Sequence, residues 1–134
     1  MRFMILVKAS ADSESGVLPD ETMFKTMADY HEELSKAGVL LDANGLQASS
    51  KGWRVRYANG RRTVVDGPFT ESKELVAGYT IIQVKSREEA LEWTRRFPNP
   101  SNGDGEIEVR QMFELDDLGP SDHVDRFRDL MARG

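Results

Sequence analysis

The chain has 134 residues and a mass of 15.1 kDa, and its 18 basic and 23 acidic residues give a formal net charge of −5. Its 39% hydrophobic content is too high and too evenly spread for a disordered chain, and no window approaches the ~20 apolar residues that a membrane span needs. The absence of cysteine excludes a disulfide scaffold, a thiolate metal site and cysteine catalysis. We expect one soluble, cytoplasmic domain without a signal peptide.

The first third of the chain predicts a strand, a helix and a second strand. Apolar side chains point to both faces of residues 2–8, which predicts an interior strand covered on both sides. A helix is predicted over residues 20–37, where Gly38 suits a left-handed stop and where apolar residues recur at spacings of three and four. That stripe consists of Met23, Met27, Tyr30, Leu34 and Ala37. Residues 39–46 predict the second strand.

The middle of the chain predicts a hairpin followed by a long strand. Residues 53–57 and 62–65 alternate on either side of Asn59-Gly60, the strongest short hairpin signal. Residues 75–84 are apolar on both faces and predict a second interior strand.

The last third predicts a helix, a strand and a terminal helix. Ser86 followed by Glu89 suggests a capping box that begins a helix over residues 86–97. Its predicted buried stripe is Ala90, Leu91, Thr94 and Phe97. Strict alternation predicts a strand over residues 106–114, with Ile107, Val109 and Phe113 on one face. Ser121 suits the start of a short terminal helix that carries Val124, Phe127 and Met131.

This element order predicts an α+β fold of ferredoxin-like type, an antiparallel sheet with two helices on one face and an inserted β-hairpin. Two helices cover only one face, yet two strands are apolar on both. Burial is favourable by roughly 25 cal/mol per Å², so an uncovered patch of several hundred Å² is a liability. We therefore expect a homodimer with the sheets packed face to face. The alternative is that the hairpin or the terminal helix folds back over the open face.

The run VVDGPFTESKELVAGY at residues 64–79 resembles the YCII-related proteins, specifically the subgroup with the motif Asp66-Gly67-Pro68-Phe69. The segments YHEELSKAGVLL, GLQASSKGWRVRY, IIQVKSREEALEWTRRFPNP and GEIEVRQMFELDD are similar to this family in order and spacing. The resemblance covers residues 1–119 and leaves residues 120–134 as a C-terminal helical tail. It implies a dimeric α+β barrel fold and a bacterial source. It also implies relatives that include small enzymes acting on organic molecules, with a His–Asp pair suggested as catalytic, and some members associated with transcription.

Asp66 and His31 are the candidate catalytic residues. Asp66 ends a hairpin strand before Gly67 and Pro68, so its carboxylate sits on a stiffened turn where it could act as a general base. The structural alternative is that Asp66 caps the turn. His31 flanks the apolar stripe of the first helix and could exchange protons near neutral pH. Its alternative is a packed histidine bonded to backbone or water.

Four other residues are candidate ligand-binding groups. Tyr79 would supply a hydroxyl and Arg110 an anion anchor if their strands are neighbours. The alternatives are a core ring for Tyr79 and a salt bridge with Glu108 for Arg110. Arg54 lies in the basic hairpin, and Glu71 follows Asp66 closely enough to border the opening of the same binding site.

The hairpin carries five positive charges and two aromatic rings with no acid among them. The basic residues are Lys51, Arg54, Arg56, Arg61 and Arg62, with Trp53 and Tyr57 interleaved. Such a ribbon can contact phosphates, but the acidic total charge disfavours nucleic acid, and an anionic metabolite or acids of a partner chain explain it more simply. No metal-ligand spacing and no glycine-rich phosphate loop is present, so we expect neither a metal nor a cofactor.

Two functions follow from these patterns. The first is a homodimer that binds a small organic ligand, with organic anions among the candidates, near the dimer interface, and with cofactor-free acid–base chemistry led by Asp66 if it is an enzyme. The second is a non-catalytic regulatory module whose hairpin or terminal helix contacts a protein or nucleic acid.

Overall fold

The computed structural model describes residues 1–133 and contains six strands and four α-helices within them. The strands are β1 (Arg2–Lys8), β2 (Leu40–Gly45), β3 (Trp53–Ala58), β4 (Arg61–Asp66), β5 (Val76–Gln83) and β6 (Ile107–Gln111). The helices are α1 (Ala11–Glu14), α2 (Glu21–Lys36), α3 (Arg87–Arg95) and α4 (Asp122–Arg133). The short helix α1 was not predicted from the sequence.

Four strands form one antiparallel sheet in the order β2-β5-β1-β6. This is the ferredoxin-like order, with β1 and β5 in the centre and β2 and β6 at the edges. Strands β3 and β4 form a separate two-stranded hairpin inserted between β2 and β5. The hairpin turns at Asn59 and Gly60, whose φ angles of 54° and 71° are those of a type I′ turn. The predicted α+β fold and its hairpin insertion are confirmed.

The hydrophobic core lies on one face of this sheet, under α2 and α3. Ile5, Leu34 and Ile82 are completely buried there. The rest of the buried apolar cluster is Phe3, Tyr30, Val39, Val84 and Ala90. Within α3 the predicted buried stripe is wrong at Leu91, which is 38% exposed, and Trp93 packs against the core instead. Helix α3 is therefore turned so that the larger indole, rather than Leu91, reaches the buried cluster.

The helix ends follow the predicted caps with one difference. The Asp20 carboxylate accepts a hydrogen bond from the Met23 N–H at 2.8 Å, and Gly38 has a φ of 75°. At α3 the Ser86 hydroxyl accepts from the Glu89 N–H at 3.1 Å, but the Glu89 carboxylate accepts from the N–H of Lys85 at 2.9 Å. The predicted capping box is therefore only half formed, because Glu89 reaches one residue further back.

The second face of the sheet is not covered by the described chain. Met4 and Leu6 on β1 and Ile81 on β5 point to it and are only half-buried. Neither of the two segments that could fold back does so. Every residue of β3 is exposed, and α4 contains no buried residue. We call this uncovered surface the open face.

The last strand is shorter than the sequence predicts. It ends at Gln111, and Phe113, which was expected on the buried face, is 72% exposed. The physical reason is that the antiparallel partner β1 begins at Arg2, so residues beyond Met112 have no strand to pair with. The chain instead continues into a turn that leads to α4.

Burial of Tyr30 predicts a measurable response to high pH. Its hydroxyl donates to the Trp93 carbonyl at 2.6 Å, and burial raises the pKa of Tyr30 to about 12 from 10.0. A raised pKa stabilises the folded state fully below pH 10, and this contribution is lost as the pH rises towards 12. Urea unfolding should therefore show a steeper fall in stability across this interval in the wild type than in Tyr30→Phe. Parallel pH curves for the two proteins would contradict this assignment.

Candidate functional site

One edge of the open face carries a hydrogen-bonded cluster of three polar side chains. The Tyr79 hydroxyl on β5 donates to a carboxylate oxygen of Asp42 on β2 at 3.0 Å. It accepts from the Asn44 side-chain amide, also at 3.0 Å, and that amide donates to Asp42 at 3.2 Å. The alternation of β2 brings Asp42 and Asn44 to the same face as Tyr79. The hydroxyl keeps one lone pair for a further donor.

The opposite edge of the open face carries a cationic cluster. The Glu108 carboxylate lies between the Lys8 ammonium at 3.1 Å and the Arg110 guanidinium at 3.3 Å. The hydrogen bond from Lys8, followed by that from Arg110, holds the pKa of Glu108 below its usual range. Arg110 is 71% exposed, so most of its fork of N–H donors is open to an anion.

Tyr79 and Arg110 therefore share a face but not a pocket within one chain. Leu6 on β1 pairs with Tyr79 on one side and with Glu108 on the other, and Met4 pairs with Arg110. Two strand spacings, roughly 10 Å, separate β5, which carries Tyr79, from β6, which carries Arg110. Half-buried apolar side chains fill the space between them. A polar group thus flanks each side of an apolar strip, which is the composition of many ligand sites.

His31 lies on the other side of the sheet from Tyr79 and Arg110. Its Nδ1 is 2.7 Å from the Met27 carbonyl oxygen and its Nε2 is 2.9 Å from the hydroxyl of Thr80, a residue that is only 2% exposed. The backbone contact assigns the proton to Nδ1, so Nε2 accepts from Thr80. Edge-on rings of Tyr30 and Phe97 pack against the imidazole. In one chain His31 therefore does not line a common cavity with the open-face groups.

Asp66 lies at the end of the hairpin, in the loop 66–69 that begins with it. Its side chain is exposed, and the N–H groups that follow it donate elsewhere, that of Gly67 to the Gly52 carbonyl and that of Phe69 to the Ser49 hydroxyl. The carboxylate therefore does not cap the turn, which was the structural alternative for it. Glu71 lies beyond this loop, and its carboxylate accepts from the Thr70 hydroxyl at 3.2 Å.

The rest of this loop docks onto the segment before β3. The Phe69 N–H donates to the Ser49 hydroxyl at 3.0 Å, and that hydroxyl donates to the carboxylate of Glu14 in α1. The Arg54 guanidinium stacks on the Phe69 ring, 3.7 Å from its centroid. A Cβ on Gly67 would overlap the backbone carbonyl of Ser49, so only glycine fits there. Arg54 is thus engaged by the loop.

Sequence reasoning missed two members of the open-face cluster. Asp42 and Asn44 were read only as part of a strand, although their spacing of two placed both on one face. The signal was present, but their partner Tyr79 lies 35 or more residues away in sequence. Among the described residues, no three His, Asp or Glu side chains converge as metal ligands.

Two shallow grooves lie away from these residues. One of about 410 Å³ runs along the start of α4, where Arg128 bonds Asp116 and Asp125. The other, of about 340 Å³, lies between α2 and the end of α3 beside Arg96. Neither includes a residue that the sequence singled out for chemistry.

None of the helices within residues 1–133 is long and apolar enough to cross a membrane.

An uncharacterized protein of Rhizobium meliloti is 30% identical over 93 residues, which are 69% of this chain and 75% of that protein. Among solved structures, the 5-chloro-2-hydroxyhydroquinone dehydrochlorinase of Burkholderia phenoliruptrix, in complex with 2,5-dihydroxybenzoquinone, is 16% identical with a TM-score of 0.47 and covers 84% of this chain and 94% of its own. The family profile of the YCII-related domain matches residues 1–116. The chain belongs to the YCII-related domain family.

Proposed function

We propose that this protein is a homodimer that binds a small organic anion between the open faces of its two sheets. The observation that carries the proposal is an uncovered apolar strip with the Tyr79 cluster on one edge and Arg110 on the other. A second copy is the simplest cover, because the hairpin and α4 leave the strip bare.

Two-fold symmetry makes such a site composite. A two-fold axis that lies between stacked sheets and runs parallel to their strands exchanges the edges, so the β2 edge of one copy lies over the β6 edge of the other. Arg110 of one copy then faces the Asp42–Tyr79 edge of the second across a gap of roughly 10 Å, the usual distance between packed sheets. This arrangement would unite the two predicted ligand-binding residues, which β1 keeps apart within a chain.

The chemistry of the lining groups defines the ligand class. Arg110 offers parallel N–H donors that suit a carboxylate or another planar oxyanion. Tyr79 offers a lone pair to a donor such as a ligand hydroxyl, and Met4, Leu6 and Ile81 suit a flat apolar body. The ligand is therefore an aromatic or unsaturated acid that also carries a donor group.

Acid–base chemistry would be led by carboxylates. Asp66 remains our proposed general base, since its exposed carboxylate sits on a docked loop. If His31 took part in catalysis, its Nε2 would be the reacting atom, and the substrate would have to reach that atom from the face of the sheet that carries the helices. The docked loop also supports placing the chain in the subgroup named for the motif Asp66-Gly67-Pro68-Phe69, because it gives Gly67 and Phe69 specific partners.

The proposal is tested with 8-anilinonaphthalene-1-sulfonate, a fluorescent aromatic anion, as the probe. We expect saturable binding at two sites per dimer and a loss of affinity of roughly tenfold or more in Arg110→Gln, since a charge-assisted hydrogen bond contributes about 1.5–3 kcal/mol. Arg87→Gln, on the exposed start of α3, is the matched control and should bind as the wild type does. Equal binding by both variants would contradict a site at Arg110.

A further inference from the structure

The hairpin β3–β4 has an apolar face that nothing in the described chain covers. Strand pairing places Trp53, Val55 and Tyr57 on the same face as Val64. The exposed fractions of these four side chains are 65%, 40%, 70% and 64%, and the charged residues Asp66 and Arg62 border them on the same face. An isolated two-stranded hairpin is marginally stable in water, and large exposed aromatic side chains indicate a contact surface.

The C-terminal helix α4 has a second uncovered apolar face. Its apolar residues follow helical spacing, and Phe127, Leu130 and Met131 are 54%, 62% and 70% exposed. The helix contacts the preceding turn, where the Arg128 guanidinium donates to the Asp116 carboxylate at 2.8 Å. A 12-residue amphipathic helix with no buried side chain gains most of its stability only when a partner covers that face.

The segments that carry these two surfaces have opposite net charge. Residues 51–66 hold five basic residues and one acid, Asp66, whereas residues 114–133 hold six acidic residues and three arginines, with the acidic excess in the turn before α4. Arg2 and Arg128 neutralise part of the acidic run by binding Glu114, Asp116 and Asp125. Asp122 and Asp129 form no ion pair with the described residues. The excess charge of each segment therefore complements that of the other.

The two surfaces cannot reach each other within one chain. The hairpin leaves the sheet after Gly45 at the β2 edge, at the end where β5 begins. The tail leaves after Gln111 at the β6 edge, at the end where β5 finishes. They occupy diagonally opposite corners, and no hydrogen bond or ion pair joins them in residues 1–133.

We propose that α4 of one copy docks its apolar face on the β3–β4 hairpin of the second copy, in a reciprocal exchange across the dimer. The proposal rests on the homodimer of the proposed function. The same two-fold axis brings the hairpin edge of one copy over the tail edge of the other, with the two segments at opposite ends of that edge. Helix α4 is ~18 Å long and the sheet strands are ~17–20 Å long, so the helix can span the remaining distance along the edge.

The absence of cysteine makes a cross-linking test direct. Val64→Cys protein is mixed with Leu130→Cys protein that carries a size-altering tag, and subunits are exchanged before a short bismaleimide is added. The matched control replaces the second partner by Glu88→Cys, on the exposed surface of α3. We expect the Val64–Leu130 pair to form the mixed cross-linked dimer roughly a hundredfold faster than the control, because docked thiols experience a millimolar effective concentration.

Light scattering of the same mixtures separates this proposal from the dimer itself. If scattering shows a dimer but the Val64–Leu130 pair does not cross-link preferentially, the exchange of α4 is contradicted and the homodimer is not. If scattering shows a monomer, both proposals are contradicted. A double variant, Val64→Cys with Leu130→Cys, that cross-links within one chain would also overturn it. Tight binding of a labelled single-stranded oligonucleotide, without the mixed cross-link, would assign the hairpin to nucleic acid instead.

Discussion

Ile81→Lys should convert the protein into a folded monomer. Ile81 lies in the middle of the open face, paired with Met4 and Asp42, and it is only half-buried in a single chain. In one copy the lysine ammonium can reach water, so the fold should persist. In the dimer both copies would bury an unpaired charge near the symmetry axis, which costs several kcal/mol. We expect the dissociation constant to rise by roughly a hundredfold to a thousandfold.

The measurement is light scattering across a concentration series, with circular dichroism to show that the fold is kept. Leu91→Lys is the matched control, because it places the same charge on an exposed apolar position of α3, away from the open face. The control should associate as the wild type does. If Ile81→Lys remains as dimeric as Leu91→Lys, the subunits do not meet through the open face.

Gly67→Ala should release the loop 66–69 from the body of the protein. The added methyl group would overlap the Ser49 carbonyl, so either the loop or residues 49–52 must move. The movement breaks the Gly67 N–H to Gly52 carbonyl bond of 3.0 Å and the Phe69 N–H to Ser49 hydroxyl bond. Overpacking of this kind destabilises by about 1–3 kcal/mol, and each lost hydrogen bond adds about 1 kcal/mol.

Urea unfolding and limited proteolysis measure the two consequences. We expect a lower unfolding midpoint and new cleavage near Phe69, where the aromatic side chain leaves the Arg54 guanidinium. Gly103→Ala is the control, since a Cβ there meets no atom within 4 Å and should leave both properties unchanged. Identical behaviour of the two variants would show that the loop is not held by this contact.

The sequence predicted the elements whose causes are local. Asp20 begins α2 through its carboxylate and Gly38 ends it through its positive φ angle, and Asn59-Gly60 sets the hairpin in the same way through its positive φ angles. The predictions were wrong where contacts with residues distant in the sequence determine the structure. Leu91 and Trp93 compete for the core through helix rotation, and the end of β6 depends on where β1 begins. Periodicity alone does not contain those contacts.

The site was less predictable than the fold. Tyr79 and Arg110 were expected to share a cavity, and the register places them on one face but two strands apart. His31 flanks an apolar stripe in the sequence, and only the packing of α2 on β5 shows that it faces Thr80. Asp42 and Asn44 become recognisable as a cluster only once β2 is paired with β5.

Sedimentation equilibrium of the unmodified chain tests the central claim most directly. An open face with an apolar strip between two polar edges requires a cover, and a second copy supplies it. We predict a particle of about 30 kDa, twice the chain mass of 15.1 kDa, over the micromolar range. A well-folded particle of 15.1 kDa at the highest concentrations would contradict the account.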